Sequence, residues 1–198
     1  MKMAMTTTKK TTSEVKPKVS RRKSAPKAIE QLPPNTFTFE VLNLAAKQRS
    51  KAKKIEVLQK YEHDSIKAIL IWNFDETVIS VLPPGEVPYY DDEERSLSDR
   101  IAEAVEALNG GKSVGALDTK FTALRTEYTK LYNFIKGGND RLNSLRRENI
   151  FIDLLKGLHP LEAEIICLCK DKLLTNRYNL TKELVSEAYP DITWGGRS

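Results

Sequence analysis

The sequence predicts a mainly α-helical single domain, with an irregular Pro-rich and acidic loop in its middle and a disordered basic arm in front. Three observations carry that prediction. Apolar residues recur at three- and four-residue spacing in segment after segment, as they do on the buried face of a helix. Capping residues and glycines bracket those segments. Seven of the nine prolines fall in two stretches, residues 1–35 and 74–107, which leaves the rest of the chain free to be helical.

The arm comes first. "TTTKKTTSEVKPKVSRRKSAPKAIEQLPPN", Thr6 to Asn35, is nearly devoid of large apolar side chains. It cannot bury enough surface to offset an ordering cost of roughly 1–2 kcal/mol per residue, so residues 1–35 are expected to be disordered and residues 36–198 to form the domain. Residues 1–28 hold nine Lys/Arg against one acid, a net of +8, and the remaining 23 bases and 26 acids net −3. The pI of 9.1 therefore belongs to the arm, on a mildly acidic body.

Folded structure is expected from Thr36, where Phe37, Phe39, Val41, Leu42 and Leu44 begin an apolar cluster; Ala52, Ile55, Leu58 and Tyr61 follow at helical spacing behind the cap Ser50. Asp64 is the expected cap of a third helix carrying Ile66, Ile69, Leu70 and Trp72. Pro83, Pro84 and Pro88 then forbid a helix, Val78 to Leu82 have room for a brief strand, and residues 74–107 carry ten acids against two arginines, which suggests a mobile surface loop.

Ser98 opens a fourth pattern, closed by Asn109-Gly110-Gly111 as a left-handed cap. Asp118 is read as the cap of a helix with Phe121, Leu124, Tyr128, Leu131, Tyr132 and Ile135, ended by Gly137-Gly138. Asn139 is the expected start of the next, which ends at Gly157. His159-Pro160 begins another, with Glu162 in its first turn and Lys170 and Lys172 at its end, as the helix dipole favours. The last runs from Thr181 to Ala188 before Pro190.

Several motifs invite chemistry and fail on spacing. "GGKS" at Gly110 to Ser113 has Glu106 where a phosphate loop needs glycine, and it follows a helix, not a strand. His63 and His159 each sit beside a helix start, where capping explains them, and neither is near a patterned nucleophile. Cys167 and Cys169, two apart on a helix, point to nearly opposite sides and neither bridge nor share an ion. The run Asp91, Asp92, Glu93, Glu94 lacks the alternating ligands and turn glycine of a calcium loop. No catalytic residue, metal site or cofactor is expected. No run of about 18 apolar residues and no signal-peptide core are present, so the reading is intracellular and without membrane contact.

Three features are left for binding. In the arm, Lys9, Lys10, Lys16, Lys18, Arg21, Arg22 and Lys23 are candidate non-specific nucleic-acid contacts. In the body, Lys136, Arg141, Arg146 and Arg147 make residues 120–150 net positive and form a secondary basic face, set either against phosphates or, the favoured reading, against the acidic segment of the same fold. The C-terminal outline resembles a helix-turn-helix, but Glu183 and Glu187 make its second helix too acidic for a groove lined with phosphates. Trp194 beside two glycines either tucks back onto the domain or anchors a partner.

The strings "ILIWNFD", "VLPPGEVPY", "LYNFIKGGND", "GLHPLEAEIICLCKDK" and "DITWGGRS" resemble those of a family of proteins of unknown function from T4-like tailed bacteriophages, notably phages of marine cyanobacteria. The likeness spans roughly Phe37 to Ser198. It implies a phage protein working in a host bacterial cytoplasm or packaged in a virion, and it brings no catalytic or binding residues. The expected function is that of a non-enzymatic accessory protein whose arm contacts nucleic acid while the helical body engages a phage or host protein. The alternative is a virion assembly factor for tail or baseplate, or a minor structural protein.

Overall fold

The computed structural model describes residues 31–91, 93–110 and 120–196. Helices α1 (Thr38–Lys47) and α2 (Lys51–Lys60) pack on each other. Ser50 caps α2 as expected, accepting from the Lys53 N–H at 3.3 Å. Contacts begin slightly ahead of Thr36, because the Leu32 N–H donates to the Tyr61 hydroxyl at 2.9 Å. Helix α3 (Asp64–Phe74) is capped one residue earlier than the sequence suggests: His63 Nδ1 accepts from the Ser65 N–H at 3.1 Å, and Asp64 is already helical.

Among the described residues there is no strand. In place of one at Val78 to Leu82, a single antiparallel bridge joins Ser80 to Ile135, with the Val81 N–H donating to Phe134 O at 3.0 Å and the Lys136 N–H to Ile79 O at 2.9 Å. The Pro-rich excursion is also strapped down. Val78, Leu82 and Tyr89 are buried, and the Lys172 ammonium donates to Asp75 O and Val78 O at 3.0 and 2.8 Å.

Helix α4 (Leu97–Asn109) is capped by Ser96, not Ser98, in a reciprocal pair: the Asp99 N–H donates to Ser96 Oγ and the Ser96 N–H to Asp99 Oδ2. At its far end Gly110 has φ −74°, so it is not the left-handed cap expected there, and Gly111 lies outside the described residues. The long helix expected over Phe121 to Ile135 is instead one turn, α5 (Leu124–Glu127), followed by a 3₁₀ helix (Tyr128–Phe134). Two causes act together. Thr126, Tyr128, Thr129, Tyr132 and Asn133 are weak helix formers, and the bridge to Ser80 needs Ile135 extended. A three-residue turn also stacks the positions Tyr128, Leu131 and Phe134, and the last two are buried.

Helix α6 (Ser144–Gly157) starts at Asn143, whose Oδ1 accepts from the Arg146 N–H at 2.8 Å, four residues after the expected Asn139. Helix α7 (Pro160–Lys170) has Pro at its first position, as expected, and is buried nearly all round. It packs against α1, α3, α4 and α6. A short α8 (Leu174–Tyr178), in what reads as a polar connection, ends on Asn179 at φ +48°. It is followed by α9 (Lys182–Ala188), capped by Thr181 and packed on α2.

One core joins these elements, with Leu42, Leu58, Ile69, Leu70, Phe134, Leu155, Ile165 and Ile166 all at 0% exposure. Full burial of each such side chain contributes about 1.5–3 kcal/mol, so packing adds to the local signals that already make α7 helical.

Candidate nucleic-acid interface

The loop between the 3₁₀ helix and α6 is fixed by backbone constraints. Gly137 has φ +77°, a left-handed conformation that side chains disfavour. At Gly138 an added Cβ would stand 1.9 Å from the Tyr132 carbonyl oxygen, so only glycine fits. Asn139 does not cap; its Nδ2 donates to Asn133 Oδ1 at 2.8 Å.

Arg147 completes this loop. Its Nε donates to Asn133 O and its Nη2 to Asn139 O, each at 2.9 Å, so one guanidinium ties the end of the 3₁₀ helix to the loop that precedes α6. Arg147 therefore leaves the proposed basic face and becomes its scaffold. The other three members, Lys136, Arg141 and Arg146, are exposed around that scaffold, and among the described residues none has an ion-pair partner.

The first turn of α6 carries no acid. Its free N–H groups and dipole add positive potential to the neighbouring cations, an arrangement that favours an anion over any further cation. Leu145, 70% exposed, and Tyr132, 50% exposed, place apolar surface near the same loop.

The favoured pairing of this face with the acidic segment is not what forms. Arg95 takes Asp91, Glu93 and Glu103 at 2.8, 3.1 and 3.1 Å, all within the acidic segment itself. Arg100 is buried and donates to the Tyr89 hydroxyl. On the other side, Lys130 pairs with Glu127 of its own turn. The arm residues Lys9, Lys10, Lys16, Lys18, Arg21, Arg22 and Lys23 lie outside the described residues.

The residues that looked chemical are dispersed into structural work. His159 is 2% exposed, caps α7 through Nδ1, and stacks on Phe39 with ring centres 4.9 Å apart. His63 caps α3, and burial, helped by nearby Arg125, holds its imidazole below the usual range. Burial pushes the thiol of half-buried Cys167 up to about 12 and raises that of fully buried Cys169 further still, which disfavours the thiolate in both. Asp91 spends its carboxylate on the Arg95 and Glu93 N–H groups and on the Arg95 side chain. Among the described residues no group of three or more His, Cys, Asp or Glu is placed to hold a metal, and no helix is long and apolar enough to cross a membrane.

Neither the second helix of the helix-turn-helix outline nor Trp194 beyond it is free. Glu187 of α9 pairs with Lys51 of α2 at 2.5 Å. Trp194 is packed against the core with the Lys182 ammonium 5.3 Å from its ring centre, and the neighbouring Gly195 N–H donates to Asp75 Oδ2 at 2.9 Å.

Sequence reasoning places Glu162 in the first turn of α7 and misses its larger role. It is fully buried, and its two oxygens each accept from the first N–H of another helix: Thr38 of α1 at 2.6 Å, and Leu124 of α5. Phe37 and Ala123, the residues in the capping positions, have no side-chain acceptor to offer. Burial pushes Glu162 up to about 7 against the pull of those donors.

Residues 41–109 and 111–176 match the model of a family described as a family of unknown function (DUF6433). No curated protein and no solved structure matches the chain.

Proposed function

The chain belongs to DUF6433, whose function is unknown, and on the chemistry of its own surface we propose that it is a non-enzymatic accessory protein of a tailed phage that binds nucleic acid non-specifically and contacts a protein partner through its helical body. One observation carries this reading. Lys136 and Arg141, on a loop that Gly138 and Arg147 hold in place, and Arg146, in the acid-free first turn of a 14-residue helix, all stand exposed, with Asp140 the one acid in that loop. Together with the seven arm cations they supply phosphate contacts without any base-reading element, which is the pattern of sequence-independent binding.

Filter binding of the full chain to duplex DNA over a salt series tests it. Seven arm contacts correspond to a log–log salt slope of roughly −6, each further phosphate contact adding about −0.9. Replacing the seven arm cations with Gln is expected to remove most of that slope. The triple variant Lys136→Glu, Arg141→Glu, Arg146→Glu is expected to weaken binding further at every salt concentration. Equal affinity of the wild type and both variants refutes the proposal.

A further inference from the structure

An apolar groove of about 170 Å³ opens where the Pro-rich excursion meets α6. Leu82, Pro88, Phe151 and Ile152 line it, and the carboxylates of Glu86 and Glu148 stand among the lining residues. Among the described residues Glu148 has no ion-pair partner, while Glu86 accepts only a long bond, 3.4 Å, from the Ser98 hydroxyl. Lys170 lines the groove as well, but its ammonium is taken by Pro83 O, Gly85 O and Asp171, so a partner for this groove is apolar where it enters and cationic beside Glu86 and Glu148.

The chain itself contains such a segment. Residues 15–19 read Val-Lys-Pro-Lys-Val. In an extended chain alternate residues face the same side, so Val15, Pro17 and Val19 form one apolar edge and Lys16 and Lys18 the opposite, charged one. Proline favours that conformation in itself and in the residue before it.

Eleven residues lie between Val19 and Gln31, the first described residue. They span up to about 40 Å, against a radius of gyration of about 15 Å for a body of this size. The tether is long enough to cross one side of the body.

We propose that this groove seats residues 15–19 of the same chain, with Val15, Pro17 and Val19 on its apolar floor and Lys16 and Lys18 against Glu86 and Glu148. Lys16 and Lys18 are then withheld from other anions while the arm is docked. The inference does not depend on nucleic-acid binding and is tested without any nucleic acid present.

A photo-reactive benzoylphenylalanine placed at Val19 of the full chain, irradiated at low protein concentration and low salt, reports the docking. Adducts mapping to residues 82–88 or 148–152 within a monomer are expected. Charge reversal of the groove, Glu86→Lys with Glu148→Lys, is expected to lower adduct yield about fivefold, the effect of two surface ion pairs. Lys16→Glu with Lys18→Glu, which cannot unfold the body, is expected to do the same, and combining the two sets is expected to restore the yield. Adducts elsewhere in the chain, adducts only between chains, or a yield indifferent to all three charge changes would overturn the proposal.

Discussion

Glu162→Gln tests the least expected contact in the molecule. The carboxylate accepts the first N–H of α1 and of α5, and an amide offers only one oxygen. Its NH₂ group must face the other helix start, leaving one buried backbone donor unsatisfied at a cost of about 1–3 kcal/mol. A second effect has the opposite sign and depends on pH. The folded protein holds the Glu162 proton up to about 7, whereas an ordinary glutamate releases it near 4.5. Folded-state proton binding thus adds stability that is fully present below 4.5 and is lost as pH rises to about 7, a difference of about 3 kcal/mol. Gln has no such titration. The variant should therefore be less stable than wild type at pH 4.5 by about 1–3 kcal/mol, and that deficit should shrink or reverse by pH 8. Urea denaturation of both proteins, followed by circular dichroism at the two pH values, reads the difference directly and cancels every other titrating group. A stability difference that is the same at both pH values would refute the titration of Glu162. No deficit at pH 4.5 would refute its double-capping role.

Four other outcomes follow from the packing. Gly138→Ala forces a Cβ against the Tyr132 carbonyl and is expected to lower stability by at least about 2 kcal/mol, seen as a melting temperature reduced by about 5 °C or more. Gly137→Ala, where φ is positive but space is open, should cost only about 1 kcal/mol. Lys170→Met removes an ammonium with a 1% exposed side chain from Pro83 O, Gly85 O and Asp171, and should speed amide hydrogen exchange through residues 82–90 at a stability cost of about 1–3 kcal/mol. Cys167 and Cys169 should not react with a disulfide reagent at pH 8 until denaturant is added, when both should titrate; fast native reaction would show that burial does not protect them.

Wherever a signal is satisfied within a few residues of itself, the sequence is a sound guide. Ser50 and Thr181 cap their helices, Gly157 ends one, and His159-Pro160 begins another, because each of these bonds is made to a neighbour. The misplacements at Asp64 for His63, Ser98 for Ser96 and Asn139 for Asn143 share one cause. Several residues near each start can cap, and tertiary packing chooses among them: Asn139 is taken by Asn133 and by Arg147.

The broken segment from Leu124 to Phe134 was beyond local reading. Its start is held by Glu162, 38 residues away, and its end by a bridge to Ser80. The basic face was legible as charge. That Arg147 points inward while Lys136, Arg141 and Arg146 point outward depends on carbonyls that no residue type announces. Lys170 was read for the helix dipole, and its greater role, holding the Pro-rich excursion, lies 85 residues or more upstream.

The position of Glu162 along the chain also orders events during synthesis. Two helix starts, at Thr38 and Leu124, are translated well before the acceptor they share. A nascent chain emerging from the ribosome carries both with their first amides open to water, and any truncated product ending before α7 keeps them so. Folding of this protein is thus expected to wait until α7 has been made rather than to grow from its N-terminal helices.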